Sequence, residues 1–559
     1  MACSSGKGTG FIGHNKYFPL LILILMTSCS RLGDYARDRA DRAAYGIISE
    51  KQTEALDRKD EFTIDQEPNE ATKQLLSEAP RIDFTRDHFT SPSYVISLGD
   101  SLAIAVSNSR DYQSQKENLY TQALSLTETR RDYGYLFTGS AGADVTRTET
   151  GNHGPDDHTV EWFGSRGFSA GVTKLLATGA RISLDFSHGF LRFFTNDPRP
   201  GASNSLTFSI VQPLLRGAGK LVARESLLQA ERNMIYNIRS FRRYQQQFII
   251  ERITSYYNLL SAGDRLENAR DNYVKALENQ RKLEKLADGG RASGMEVDQA
   301  SQKVLEAEAR LSRARTSYGQ SLDLFKIELG IPVEVDVGPN PAELDRIAKR
   351  GLLMPDMNLE QALEIALSER LDLKNVVDYV EDSRRSVKIA LRNFLPDLDF
   401  GYNYSTSTGD EKDRVRLDFE DNTNDFSLGL GIPFDWTPRR NQYRLALLGL
   451  DQAERSLGDF RDRLILEVRD AWRTLQETRT DYRIQRESVR LAERRVKNAT
   501  MLLERGKATA RDLLEAEDSL LESQNALTNA LVSNTIQRLR FWNAIEKFEI
   551  DEKGLPSLE

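Results

Sequence analysis

Residues 224–287 read RESLLQAERNMIYNIRSFRRYQQQFIIERITSYYNLLSAGDRLENARDNYVKALENQRKLEKLA. Nothing in this stretch stops a helix: it holds no proline, and Gly263 is its only glycine. Leu227, Met234, Phe241 and Phe248 fall seven apart, and so do Ala262, Ala269, Ala276 and Leu283. That is the rhythm of helices packed side by side in a left-handed coil. At about 1.5 Å per residue such a helix runs roughly 95 Å, wider than an ordinary domain.

The same plan recurs downstream. Gln229-Ala230-Glu231-Arg232 returns as Gln452-Ala453-Glu454-Arg455, and a second long helix is predicted from about Asn441 to Arg505. Return helices are predicted at about Met295 to Leu329 and Arg511 to Lys547. Within them Val297, Ala300, Val304, Ala307, Leu311 and Ala314 match Leu513, Ala516, Leu520, Ser523, Leu527 and Ala530 at an offset of 216. The offset at the Gln-Ala-Glu-Arg string is 223, so the halves differ there by one heptad, which a coiled coil loses without losing its seam. Earlier still, Leu98–Leu102 and Leu359–Leu363 open similar amphipathic segments, and Asp111 and Arg131 match Asp372 and Arg392 at an offset of 261. These predict helices at about 98–132 and 359–394, with one long helix lying beside two shorter ones.

Between the helices lie stretches with a different period. Phe168, Ala170 and Val172 alternate, as do Ile182, Leu184 and Phe186, then Leu206, Phe208 and Ile210. In the second half Phe400, Tyr402 and Tyr404 alternate, then Phe426, Leu428 and Leu430. We expect four main strands per chain in two hairpins, with Trp162, Phe163 and Trp436 near strand ends as interfacial girdles. Four strands cannot close a membrane barrel, whose minimum is about eight, and lipid does not tolerate open edges. Copies must share a barrel, and two copies or three satisfy that condition.

Composition agrees. The chain carries 76 basic and 84 acidic side chains for a net charge of −8, and no basic tract of the kind that grips nucleic acid. Its only cysteines are Cys3 and Cys29, too few for a disulfide framework. Lys7 and Lys16 precede an apolar run from Tyr17 to Met26, about ten residues and too short to span a bilayer. The run ends in Met26-Thr27-Ser28-Cys29, which resembles a bacterial lipobox, so Cys29 is the expected lipidation site. Ser30 in place of aspartate leans toward outer-membrane sorting.

The order helix, hairpin, long helix, turn and return helix, met twice, resembles the TolC-like outer-membrane efflux proteins over about Ser93 to Asp551. Gln212-Pro213-Leu214-Leu215-Arg216-Gly217 looks like that family's exit from strand to long helix, and Ile432-Pro433-Phe434 is its counterpart. Gly290-Arg291-Ala292-Ser293 leading to Glu296-Val297, and Gly506-Lys507-Ala508-Thr509 leading to Asp512-Leu513-Leu514, look like its two helix–helix turns. Where the second turn often has arginine, this chain has Ala508.

The resemblance implies a mainly α fold with a small β part. Long antiparallel coiled-coil helices would form a trimeric α-barrel, and four strands per chain would form a shared 12-stranded transmembrane β-barrel. It further implies a homotrimer in outer-membrane lipid, working with a periplasmic adaptor and an inner-membrane pump in efflux or type I secretion. Gly290, Arg291, Ala292, Ser293, Gly506, Lys507, Ala508 and Thr509 are the expected adaptor-docking turns. Asp512 and Glu515, on one helix face, are the expected periplasmic gate and selectivity ring.

The expected organisation is a lipoprotein signal peptide at 1–28, an N-terminal tether at 29–92, a first repeat at 93–332, a connector at 333–357, a second repeat at 358–551 and a tail at 552–559. No catalytic, cofactor or metal motif is expected. Gly6-Lys7-Gly8-Thr9-Gly10 lacks phosphate-loop spacing, and His153, Asp156, Asp157 and His158 lie in an expected surface loop. The rival reading is a structural periplasmic coiled coil or adhesin without transport.

Overall fold

The structure is a computed structural model that describes residues 18–65, 72, 73, 75, 77, 94–151, 158–193, 201–408, 417, 419, 420, 422–551, 555 and 556. In chain order its elements are α1 (Phe18–Leu56), β1 (Tyr94–Ile96), α2 (Leu98–Asn108), α3 (Arg110–Asp132), β2 (Tyr135–Gly151), β3 (His158–Leu175), β4 (Arg181–Phe193) and β5 (Gly201–Pro213). Then come α4 (Lys220–Ala223), α5 (Glu225–Asp288), α6 (Gly294–Leu329), β6 (Val337–Pro339), α7 (Ala342–Arg350), α8 (Leu359–Glu369) and α9 (Leu371–Arg392). The chain closes with β7 (Asp397–Ser407), β8 (Asn422–Gly431), α10 (Thr437–Glu504) and α11 (Ala510–Ala544).

The long helices stand where the heptads put them. α5 has 64 residues and α10 has 68, about 96 and 102 Å of helix. The seam residues Ala262, Ala269, Ala276 and Leu283 of α5 are buried, as are Ala300, Val304 and Ala307 of α6 and Leu513, Ala516, Ser523 and Ala530 of α11. Alanine at so many seam positions lets the helices approach closely. Toward the sheet α5 packs instead on α3, where Leu119, Ala123 and Leu126 meet Met234 and Ile238. One long helix thus runs beside two shorter ones in each half.

Each predicted helix before the strands is broken in two, at Ser109 and at Arg370, residues 261 apart like the rest of that repeat. Both adopt extended ψ values, 126° and 120°, while serving as C-cap of one helix and N-cap of the next. The sequence shows no proline or glycine there, so periodicity alone ran across the break.

A waist joins the halves. β1 pairs in parallel with β6, Ile96 opposite Pro339. Tyr256 of α5 is fully buried there, donating to the Ile96 carbonyl at 3.0 Å and accepting from the Asn340 amide at 3.1 Å. The segment expected as a tether is packed over part of its length: Ala44, Ile47 and Ile48 of α1 are buried against α3 and α5. Lys51 reaches Glu231 at 2.6 Å.

The expectation of four strands per chain is corrected. One antiparallel sheet of six strands is present, in the order β2-β3-β4-β5-β7-β8. Two hairpins were expected, but the stretch between α3 and α4 folds as four consecutive strands. β2 escaped notice because Gly139, Gly142, Ala141 and Ala143 dilute its alternation with small residues. No described helix is long and apolar enough to cross a membrane.

Candidate channel gate and docking turns

The two helix–helix turns are built alike. Gly290 and Gly506 stand at φ +69° and +68°, left-handed values that glycine adopts without strain. The Arg291 amide donates to the Leu286 carbonyl at 2.7 Å, and the Lys507 amide donates to Leu502 at 2.8 Å. The next helix then starts on a reciprocal cap. Ser293 accepts from the Glu296 amide while the Glu296 carboxylate accepts from the Ser293 amide, and Thr509 and Asp512 repeat the arrangement.

Asp512, expected in the gate, therefore has a local duty. Its carboxylate accepts from the Thr509 hydroxyl at 2.7 Å and amide at 2.9 Å, and these bonds hold its pKa below the usual carboxylate value. Glu515 pairs with Arg511 at 2.8 Å. Both acids are exposed on one face of α11. The neighbouring acids point elsewhere: Asp518 meets Lys303 at 2.9 Å and Arg310 at 3.0 Å, both on α6. Glu517 accepts from Asn279 of α5 at 2.7 Å, and burial pushes its pKa up.

These last contacts form a set that the sequence did not disclose. Lys282 near the end of α5 reaches Glu504 at the end of α10 at 2.8 Å, and Arg291 donates to the Glu504 carbonyl at 3.3 Å. Leu283 and Ala300 of the first coil pack with Ala510 of the second, beside the half-buried Ala292. The paired residues lie more than 200 positions apart in chain order, and a heptad reading of each coil alone cannot match them. The cross-coil arginine, Arg291, sits in the first turn, and the second turn has Lys507 at the matching place, followed by Ala508. Gly506 has open space around it, and Met295 beside the first turn is 69% exposed.

At the opposite end stands the sheet. Register places Phe137, Val172, Leu184, Phe208, Tyr404 and Asn424 in one cross-strand row, and Gly139, Ala170, Phe186, Leu206 and Thr406 in the next. This face is apolar over most of its area, with Phe168 and Phe186 at 5.7 Å and Tyr402 and Phe426 at 4.8 Å between ring centroids. The other face carries Ser, Thr, Gly and Asp, with Ser140 bonded to Ser169 at 2.8 Å and Ser187 to Ser205 at 2.7 Å. Trp436 stacks on Phe394 at the helix side of the sheet, with the Arg439 guanidinium over its ring.

Cys29 falls within α1, but its side chain lies outside the described ones, as do those of Trp162, Phe163 and His158. His153, Asp156 and Asp157 lie outside the described residues.

Residues 362–545 match the family of outer membrane efflux proteins. No curated protein matches the chain significantly. Among solved structures, the CmeC outer membrane channel of Campylobacter jejuni shares the fold at a TM-score of 0.59 and 15% identity, over 86% of this chain and 96% of that one. The outer membrane protein VceC of Vibrio cholerae aligns at 0.58 and 16% identity, over 80% and 95%. The MtrE outer membrane channel of Neisseria gonorrhoeae, in its open state, aligns at 0.54 and 13%, over 80% and 88%. The second repeat thus matches the outer membrane efflux protein family directly, the first repeats its plan, and the whole chain shares the fold of these outer-membrane channels.

Proposed function

We propose that the chain is the outer-membrane duct of a tripartite efflux or type I secretion machine, passive in itself and opened from the periplasm. The observation that carries this reading is the sheet: one face apolar, one face polar, both edges open, set at the end of helices about 100 Å long. A sheet of that kind finds its place in lipid only when copies close it. Three copies, as the family resemblance implies, would continue the wall into a periplasmic tunnel.

The two turns are the proposed adaptor-docking surface, with Ala292 and Ala508 leaving room for a partner's helix end. Asp512 and Glu515 would line the inner mouth, three of each, where like charges attract cations and disfavour anions. Their exposure supports this, since Glu517 and Asp518 are engaged within the chain. Opening would part the second coil from the first across the Lys282–Glu504 and Asp518 contacts. Cys29 is the proposed lipid anchor. The chain's own chemistry is not catalytic in this reading.

In-cell photo-crosslinking from positions 292 and 508 tests the tripartite assignment. An adaptor joined to both positions, with a pump in the same complex, is the expected result. Capture of only further copies of this chain would contradict it.

A further inference from the structure

The six strands carry a consequence for the pore. All six share one apolar and one polar face, so β3 and β4 are amphipathic in the same sense as their neighbours. The pair is also locked into the junction between sheet and helices. In the β3–β4 turn, the Thr178 carbonyl accepts from the Gly219 amide at 2.9 Å and the Thr178 hydroxyl donates to Gln212 at 2.9 Å. Gly179, at φ +93°, lies so close to the Gly217 carbonyl that a Cβ would stand 2.7 Å from its oxygen. β3 and β4 are therefore integral to the sheet.

The open edges are β2 and β8. β2 leaves the helical end of the molecule and β8 returns to it, so the two edges of adjoining copies meet antiparallel, as every pair within the sheet does. All ten residues of β8 are exposed in the single chain, among them Phe426, Leu428 and Leu430 on the apolar face. An exposed apolar edge strand of this length is a template for pairing.

We propose that β8 of each copy pairs with β2 of the next, and that three copies close a barrel of eighteen strands; the number of copies rests on the function proposed above. Barrel width grows with strand number. With strands about 4.8 Å apart and tilted by about 40°, eighteen strands close at a backbone radius of about 18 Å, against about 12 Å for twelve. The lumenal wall is thin, built of short side chains such as Ser169, Gly171, Ser183, Ser187, Ser205 and Ser209. The outer pore is then wide enough for a polymer chain folded back on itself, and the narrow point of the duct lies at the periplasmic turns.

The test is electron cryomicroscopy of the full chain in lipid nanodiscs, read as copies and strands per ring. Three copies with eighteen strands are expected. Three copies with twelve strands, and β3 and β4 outside the wall, would overturn the barrel while leaving the trimer intact. A different copy number with six strands per copy overturns the eighteen-strand count through the trimer reading, and keeps the edge pairing. Disulfide scanning adds an independent measure. Phe426→Cys is combined in turn with cysteine at each same-face position of β2 from Tyr135 to Val145. Oxidation of at least one pair should yield covalent oligomers, and intact oligomers with no crosslink from any pair would overturn the β8–β2 contact.

Discussion

Asp518 accepts from both Lys303 and Arg310, and Glu504 from Lys282, across the two coils of one chain. The two partly exposed Asp518 pairs are worth roughly 0.2–1 kcal/mol each. A closed state resting on these two pairs would be held by about 0.4 to 2 kcal/mol, which is within reach of a docking partner. Asp518→Ala should therefore raise the open fraction several-fold without unfolding the protein, read as spontaneous conductance in planar bilayers; unchanged opening would remove Asp518 from the gate. Acid should act in the same direction. The Lys282 ammonium holds the Glu504 carboxyl below its ordinary 4.5, so its tie is complete above that value and is lost as pH falls through the lowered one. Lys303 has the opposite sign: hydrogen bonds to Glu306 and Asp518 raise it above 10.5, so its tie fails only in strong alkali. Conductance should rise only as pH falls below the ordinary carboxylate range, and stay flat through neutrality. Asp512→Ala with Glu515→Ala should cut cation preference and weaken block by multivalent cations. Selectivity equal to wild type, with normal trimers, would place the ring elsewhere.

The turns are the element whose change should be felt by a partner and not by the fold. Ala292→Trp and Ala508→Trp should abolish export while the protein still assembles, because Ala292 is only half-buried and the tip around Gly506 is open. Full export from both variants would count against docking there. The turns were legible in the sequence because their devices are local: a glycine in the left-handed region, then Ser or Thr three residues before Glu or Asp. The long helices were legible for a related reason, since a heptad repeat needs no knowledge of its partner. The breaks at Ser109 and Arg370 were not, because a backbone turn without glycine or proline leaves no mark on periodicity. Nor was β2, whose Gly and Ala positions carry no contrast between faces and acquire one only when paired with β3. The ties from Lys282 and Lys303 depend on how one coil lies on the other, which neither coil's pattern encodes.

At the scale of the whole molecule, a packed waist separates an amphipathic sheet from two coils that end in matching turns. α1 is bound into this body: Ile48 is fully buried, and Lys51 and Arg130 both reach Glu231. Ile48→Ala should cost about 2–5 kcal/mol locally and expose α1 to protease, with the waist retained. Labelled fatty acid should enter the wild type and not Cys29→Ser, and equal labelling of both would remove the anchor. The central claim is that copies of this chain form a water-filled duct through the outer membrane, and purified protein in planar bilayers tests it most directly. Discrete, long-lived, cation-preferring conductance steps, growing when Asp518 is removed, are the predicted result. Heat-resistant oligomers that insert into lipid and conduct nothing, with or without Asp518, would contradict it.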